Sequence, residues 1–156
     1  MTIEVDYIDG KRGVLIRLSN RVTGQEMINI HDEIYRSHQS VTQQYHIIDK
    51  SWCLEYDVTA TEVRKLAELD CKLTQLNADI AIAVIESNYL QFNLTDVWQA
   101  YIEDCIKYSQ SFKNQPDALD WLKCVLQDLN QSTLMSKKMS SNEWVNRIEG
   151  TSPLKH

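Results

Sequence analysis

The chain has 156 residues, of which 43% are hydrophobic and 24% charged, the size and composition of one globular domain and too apolar for a disordered chain. Its 16 Lys and Arg against 22 Asp and Glu leave a net charge of -6, which repels phosphate backbones and argues against nucleic acid as a partner. The longest apolar run, Ile80 to Ile85, falls far short of the roughly 18 residues of a membrane span, and Met1 to Gly10 carries acids instead of a basic leader. A cytoplasmic protein without membrane contact is the expectation.

Ile3, Val5 and Tyr7 alternate with acids, Asp9-Gly10 tolerates positive φ, and Val14 to Leu18 resumes a β-rich run, which reads as a hairpin. Thr23-Gly24-Gln25-Glu26 follows as a capping box, flanked by Val22 and Met27 as a hydrophobic staple. The first helix is predicted to start there and to run to about Ser37 on Met27, Ile30 and Ile34. Tyr45 to Ile48, ending in Asp49, fits a buried strand that Trp52 to Tyr56 would prolong or cross.

Thr59-Ala60-Thr61-Glu62 repeats the capping box, and Val58 with Val63 repeats the staple. This second helix should bury Val63, Leu66, Leu69, Leu73 and Leu76. The unbroken apolar run within Asp79 to Ile85 is the mark of a strand covered on both faces and reads as the central strand. A third helix is predicted from Asn93, with Leu94, Val97, Trp98, Tyr101, Ile102 and Cys105 as its stripe, and Tyr108 to Phe112 as the last strand.

Asn114 should cap a fourth helix with Pro116 in its first turn and Ala118, Trp121, Leu122, Val125 and Leu129 on its buried face. Residues 1–131 are thus read as one domain and 132–156 as a tail, disordered or carrying one short helix near Asn142 to Ile148, with Trp144 resting on its own domain or on a partner.

Hairpin, then helix and strand in alternation, defines an α/β fold with a mostly parallel, mixed sheet and four helices. Cys53, Cys71, Cys105 and Cys124 contain no Cys-x-x-Cys pair, so they form disulfides only if the fold brings them together, and most read as small buried apolar residues. His31, His38, His46 and His156 are scattered too, so no metal and no cofactor is expected.

From Arg12 to Leu122 the chain resembles the STAS, or SpoIIAA-like, domains, known as anti-sigma factor antagonists. The resemblance rests on Ile47-Ile48-Asp49, on Asp57 eight positions later with a capped helix at once after it, and on Phe112 followed by Asp117-Ala118-Leu119-Asp120-Trp121-Leu122. That last stretch is similar to the ending of uncharacterised bacterial SpoIIAA-like proteins. In regulatory members a Ser within Asp-Ser-Ser-Gly at the start of the second helix is phosphorylated by a partner kinase. The matching residues here are Asp57, Val58, Thr59 and Ala60. Thr59 keeps the hydroxyl, while Val58 and Ala60 depart from the pattern. Read from the residues alone, Thr59 is an N-cap and Asp57 a turn residue.

No Gly-x-Ser-x-Gly, His-Glu-x-x-His or Gly-rich phosphate loop is present, so the chain reads as a non-enzyme. His31-Asp32-Glu33, and Glu62, Glu68 and Asp70, read as solvated helix faces. The expected function is regulation or scaffolding by binding a protein partner, a second copy of the chain included, with a phosphoswitch at Thr59. The alternative is a carrier of a small apolar or acyl ligand, with Trp52, Tyr56, Trp98 and Tyr101 lining a groove between sheet and helices.

Overall fold

The two β-rich segments around Asp9-Gly10 pair as an antiparallel hairpin, β1 (Ile3–Ile8) and β2 (Gly13–Thr23), with Ile3 opposite Leu18 and Ile8 opposite Gly13. Asp9, Gly10 and Lys11 in its turn all have positive φ. The chain continues as α1 (Gly24–Arg36), β3 (Tyr45–Asp57), α2 (Ala60–Leu73), β4 (Ala81–Ile85), α3 (Thr95–Ile102), β5 (Tyr108–Phe112) and α4 (Gln115–Thr133). The computed structural model describes residues 2–37, 42–76, 79–90 and 94–133. The expected tail from 134 onward, with Trp144, lies outside them, while α4 runs two residues past the expected boundary at 131.

The strands form one sheet in the order β1-β2-β3-β4-β5, parallel from β2 to β5. Each crossover advances one strand in the same direction, so right-handedness puts α1, α2 and α3 on one face. The helix α4 closes no crossover and covers the other. Alternation along β4 shows both faces at work: Ile80, Ile82 and Val84 join Val14, Ile16, Met27 and Leu66 under α1 to α3, whereas Ala81, Ala83 and Ile85 join Ala118 and Leu122 under α4.

All five residues of β4 are buried, as the apolar run implies, but the middle strand is β3. Strand β3 absorbs the Trp52 to Tyr56 stretch and outruns β4, whose pairing with it ends at Asp49 and Ile85. Its register against β2 shifts between Arg17 and Ser19 and again between Asn20 and Arg21, where Asn20 has φ 58°.

Both capping boxes form as the sequence predicts: the Thr23 and Thr59 hydroxyls accept from the Glu26 and Glu62 amides, and each Glu side chain accepts from the cap's own amide. Asn114 Oδ1 accepts from the Asp117 amide at 2.9 Å at the start of α4. Three details differ. Leu76, past the end of α2, and Tyr101 are about half exposed (53% and 48%), because each lies off the stripe that its neighbours direct at the sheet. Helix α3 is described from Thr95 with Leu94 as its cap, while Asn93 lies outside the described residues.

The cysteines also depart from expectation. Cys71 and Cys105 form a disulfide with Cα atoms 5.5 Å apart, tying α2 to the turn after α3, while Cys53 is buried and Cys124 is exposed.

Candidate functional site

Strands β2 and β3 run parallel and pair to their ends, Thr23 opposite Asp57, so α1 and α2 begin side by side. The two starts touch. A Cβ built on Gly24 would lie 2.2 Å from Glu62 Cδ, so Gly24 has no side chain because the Glu62 carboxylate occupies that space. Around this end Arg21 pairs with Asp57 and, at 3.3 Å, with Glu55, and the two acids hold its guanidinium above its ordinary range. Thr59 is exposed, with Oγ1 3.1 Å from Glu62 Oε1. The Thr23 amide, by hydrogen bonding to Glu26, lowers that carboxyl below its usual range. An exposed hydroxyl therefore sits at the meeting of two helix N-termini, whose dipoles favour negative charge, beside four acids and one arginine.

Beneath these helices lies a polar cluster that contradicts the wet-face readings of His31 and Asp70. His31 is 2% exposed and Asp70 1%. Asp70 accepts from the Tyr35 hydroxyl and, at 2.6 Å, from Trp98 Nε1. His31 donates from Nδ1 to the Met27 carbonyl at 2.9 Å and turns Nε2 toward Asp70 at 3.8 Å. Burial pushes the Asp70 carboxyl up, and His31, Tyr35 and Trp98 oppose that rise. Tyr35 also stacks on His46, whose Nε2 lies 2.6 Å from Gln43 Oε1. Burial, helped by His31, pushes His46 down to about 3. His31, Tyr35, Asp70 and Trp98 are thus tied to one another across three helices, an arrangement that fixes helix positions, and the His31 ring also lines the cavity beside them.

Beside this cluster a cavity opens between the sheet and α1 to α3. Lys50 reaches into it from β3, 5% exposed, with Nζ 3.3 Å from Thr95 Oγ1 and 4.1 Å above the Tyr56 ring. Burial pushes the ammonium down to about 8, against the opposing pull of Cys53 and Glu86.

The expected aromatic groove is divided by the structure. Tyr56 and Trp98 both line this cavity, whereas Trp52 stands on the surface at 68% exposure and Tyr101 belongs to a separate shallow surface groove with Arg64 and Cys71. Asp57 and Thr59 do come together, at the helix-start end. Sequence reasoning missed Lys50, although it lies two residues after Ile48 and so on the same face of β3. Among the described residues, no group of three or more His, Cys, Asp and Glu side chains could hold a metal ion, and no helix is long and apolar enough to cross a membrane.

No protein-family model matches the sequence, and no curated protein matches it. Among solved structures the chain is similar to the anti-sigma factor antagonist SpoIIAA in its unphosphorylated form, with 10% identity and a TM-score of 0.51 over 78% of this chain and 97% of that one. It is also similar to an uncharacterised protein of the DUF3478 family with a SpoIIAA-like fold from Shewanella loihica PV-4, with 17% identity and a TM-score of 0.46 over 77% and 91% of the two chains. In fold the chain is a SpoIIAA-like domain: a five-stranded mixed sheet with one antiparallel pair and four helices.

Proposed function

We propose that this is a non-enzymatic regulatory or scaffold domain that binds another protein through the start of α2, and that a phosphate on Thr59 switches the binding. The observation that carries the reading is the exposed Thr59 hydroxyl at the joined starts of α1 and α2, with Arg21 beside it on Asp57. The shared fold supports it, since the SpoIIAA structure is that of an anti-sigma factor antagonist in its unphosphorylated form. A phosphate would end donation from Thr59 Oγ1 to Glu62 and place a charge of about -1.5 to -2 next to Glu62 and Asp57. A phosphate is also a stronger acceptor for a guanidinium than a carboxylate is, and the face would change its charge pattern without any change of fold.

A second copy of the chain is one partner this face could take. The acidic net charge fits a cytoplasmic setting free of nucleic acid, in which the Cys71–Cys105 pair would be held largely as thiols or oxidised transiently. The test is affinity capture from native lysate with the wild-type chain, Thr59→Ala and Thr59→Glu, alongside mass-spectrometric mapping of phosphate. A partner retained by wild type and Thr59→Ala but lost or exchanged in Thr59→Glu supports the reading. Identical partners for all three proteins, with Thr59 unmodified in every condition, contradict it.

A further inference from the structure

The bond between Cys71 and Cys105 has two unlike ends. Cys71, in the last turn of α2, is half-buried and lines the surface groove that Tyr101 shares. Cys105 is not part of that lining, and its Sγ lies 3.4 Å from the Ile102 carbonyl. A nucleophile arriving from the groove therefore meets Cys71, and Cys105 is the sulfur that leaves, with an acceptor already placed for its S–H. Helix α3 keeps a noncovalent tie to α2 when the bond opens, because Trp98 still donates to Asp70.

The groove measures ≈ 430 Å³, within the roughly 300–1,000 Å³ of sites that take small molecules. Its walls carry two cations and one anion, Arg64, Lys72 and Glu68, spaced at every fourth residue of α2 and all exposed. Among the described residues no ion pair engages any of the three. The matching occupant carries two carboxylates and one ammonium. About 12 Å of helix separates Arg64 from Lys72, a span that suits a tripeptide with a carboxylate at each end. Where such a molecule also carries a thiol, the groove brings that thiol to Cys71.

We propose that this is a thiol-exchange site: a small thiol with a carboxylate at each end and one ammonium, the class of glutathione, seats along Arg64, Glu68 and Lys72 and opens the bond at Cys71. The incoming thiol loses its proton to solvent, and its thiolate forms a new S–S bond to Cys71 Sγ as the Cys71–Cys105 bond breaks. Cys105 leaves as a thiolate and takes a proton from water. A second thiolate of the same class then attacks the ligand's sulfur, which frees Cys71 and releases the ligand as its own disulfide, two electrons having passed to the protein. The site is separate from the Thr59 face and does not depend on partner binding.

The test uses the oxidised full chain and follows opening of the bond by mass after alkylation, with glutathione and with its diethyl ester at matched thiolate concentration. The diester keeps the thiol and loses both carboxylates, and the net charge of -6 opposes the diacid, so faster opening by glutathione reports the groove. The expected result is opening about tenfold faster by glutathione than by the diester. Arg64→Gln and Lys72→Gln should each slow glutathione roughly threefold and leave the diester unchanged, and Cys105→Ser treated with oxidised glutathione should carry its adduct on Cys71. Equal rates for the two thiols, variants that leave the glutathione rate unchanged, a wild-type adduct on Cys105, or a chain that forms no Cys71–Cys105 bond under oxidised glutathione overturns the site. The comparison of the two thiols on wild type decides the matter even if Cys105→Ser does not fold.

Discussion

Trp98 of α3 donates its indole N–H to Asp70 of α2 at 2.6 Å, and Tyr35 of α1 donates to the other oxygen of the same carboxylate. One buried acid thus joins three helices that approach the sheet from separate crossovers. Asp70→Ala leaves two buried donors without an acceptor, at roughly 1–3 kcal/mol each, and should lower stability by about 3 kcal/mol. Asp70→Asn keeps one carbonyl oxygen and should lose less. Urea unfolding at pH 7 checks this, and an Asp70→Ala protein as stable as wild type would show that the junction does not hold the helices.

The two capping boxes share space at Gly24 and Glu62. Thr59→Ala should cost on the order of 1 kcal/mol. Gly24→Ala should cost about as much, since its Cβ would displace the Glu62 carboxylate from the cap of the neighbouring helix. In a double-mutant cycle Gly24→Ala should lose most of its effect once Glu62 is Ala, because both changes break the same cap. Additive costs would mean that Gly24 acts through α1 alone.

His46 gives the pH dependence a sign. In the folded chain it stays neutral down to about 3, whereas the unfolded imidazole takes a proton near its ordinary 6.5. Its contribution is complete above that value and is lost as pH falls toward 3. Between pH 6.5 and 4.5 this amounts to about 2 kcal/mol. His46→Phe keeps a ring against Tyr35 and should flatten that limb of the stability profile, measured by urea midpoints across the pH range.

The Cys71–Cys105 bond closes a loop with a sequence separation of 34, for which the chain-entropy account gives about 3–4 kcal/mol. Reduction with a phosphine should lower wild-type stability by that order. The double variant Cys71→Ser with Cys105→Ser should match reduced wild type and ignore the reductant.

Much of the fold could be read from spacing. Thr23 with Glu26 and Thr59 with Glu62 mark two helix starts because a capping box is a local hydrogen-bond cycle that needs no tertiary partner. The polar core was not read, although its signal is present. Asp70 lies four residues after Leu66 and three before Leu73, and His31 lies four after Met27 and three before Ile34. Each therefore sits in the middle of its helix's apolar stripe, and the two helices pack side by side with those stripes inward. Charge suggested solvent where helical phase pointed to burial. The Cys71–Cys105 pairing was illegible for a different reason, since it depends on how α2 and α3 meet. The aromatic groove failed in part because β3 runs past β4 and carries Trp52 out to the surface. Thr59 itself was legible as a cap, and the pairing of Arg21 with Asp57 was not, since that pair is made by strand register.

The partner-binding face proposed above is the joined starts of α1 and α2. The most direct measurement places a photo-crosslinking amino acid at Thr61, exposed in the first turn of α2, and in a second protein at Asp128, exposed on α4 across the sheet. Irradiation in the native cells should yield a defined adduct from position 61 that disappears in the Thr59→Glu background, and none from position 128. Adducts from position 128 alone, or an adduct at 61 indifferent to Thr59→Glu, would contradict the account.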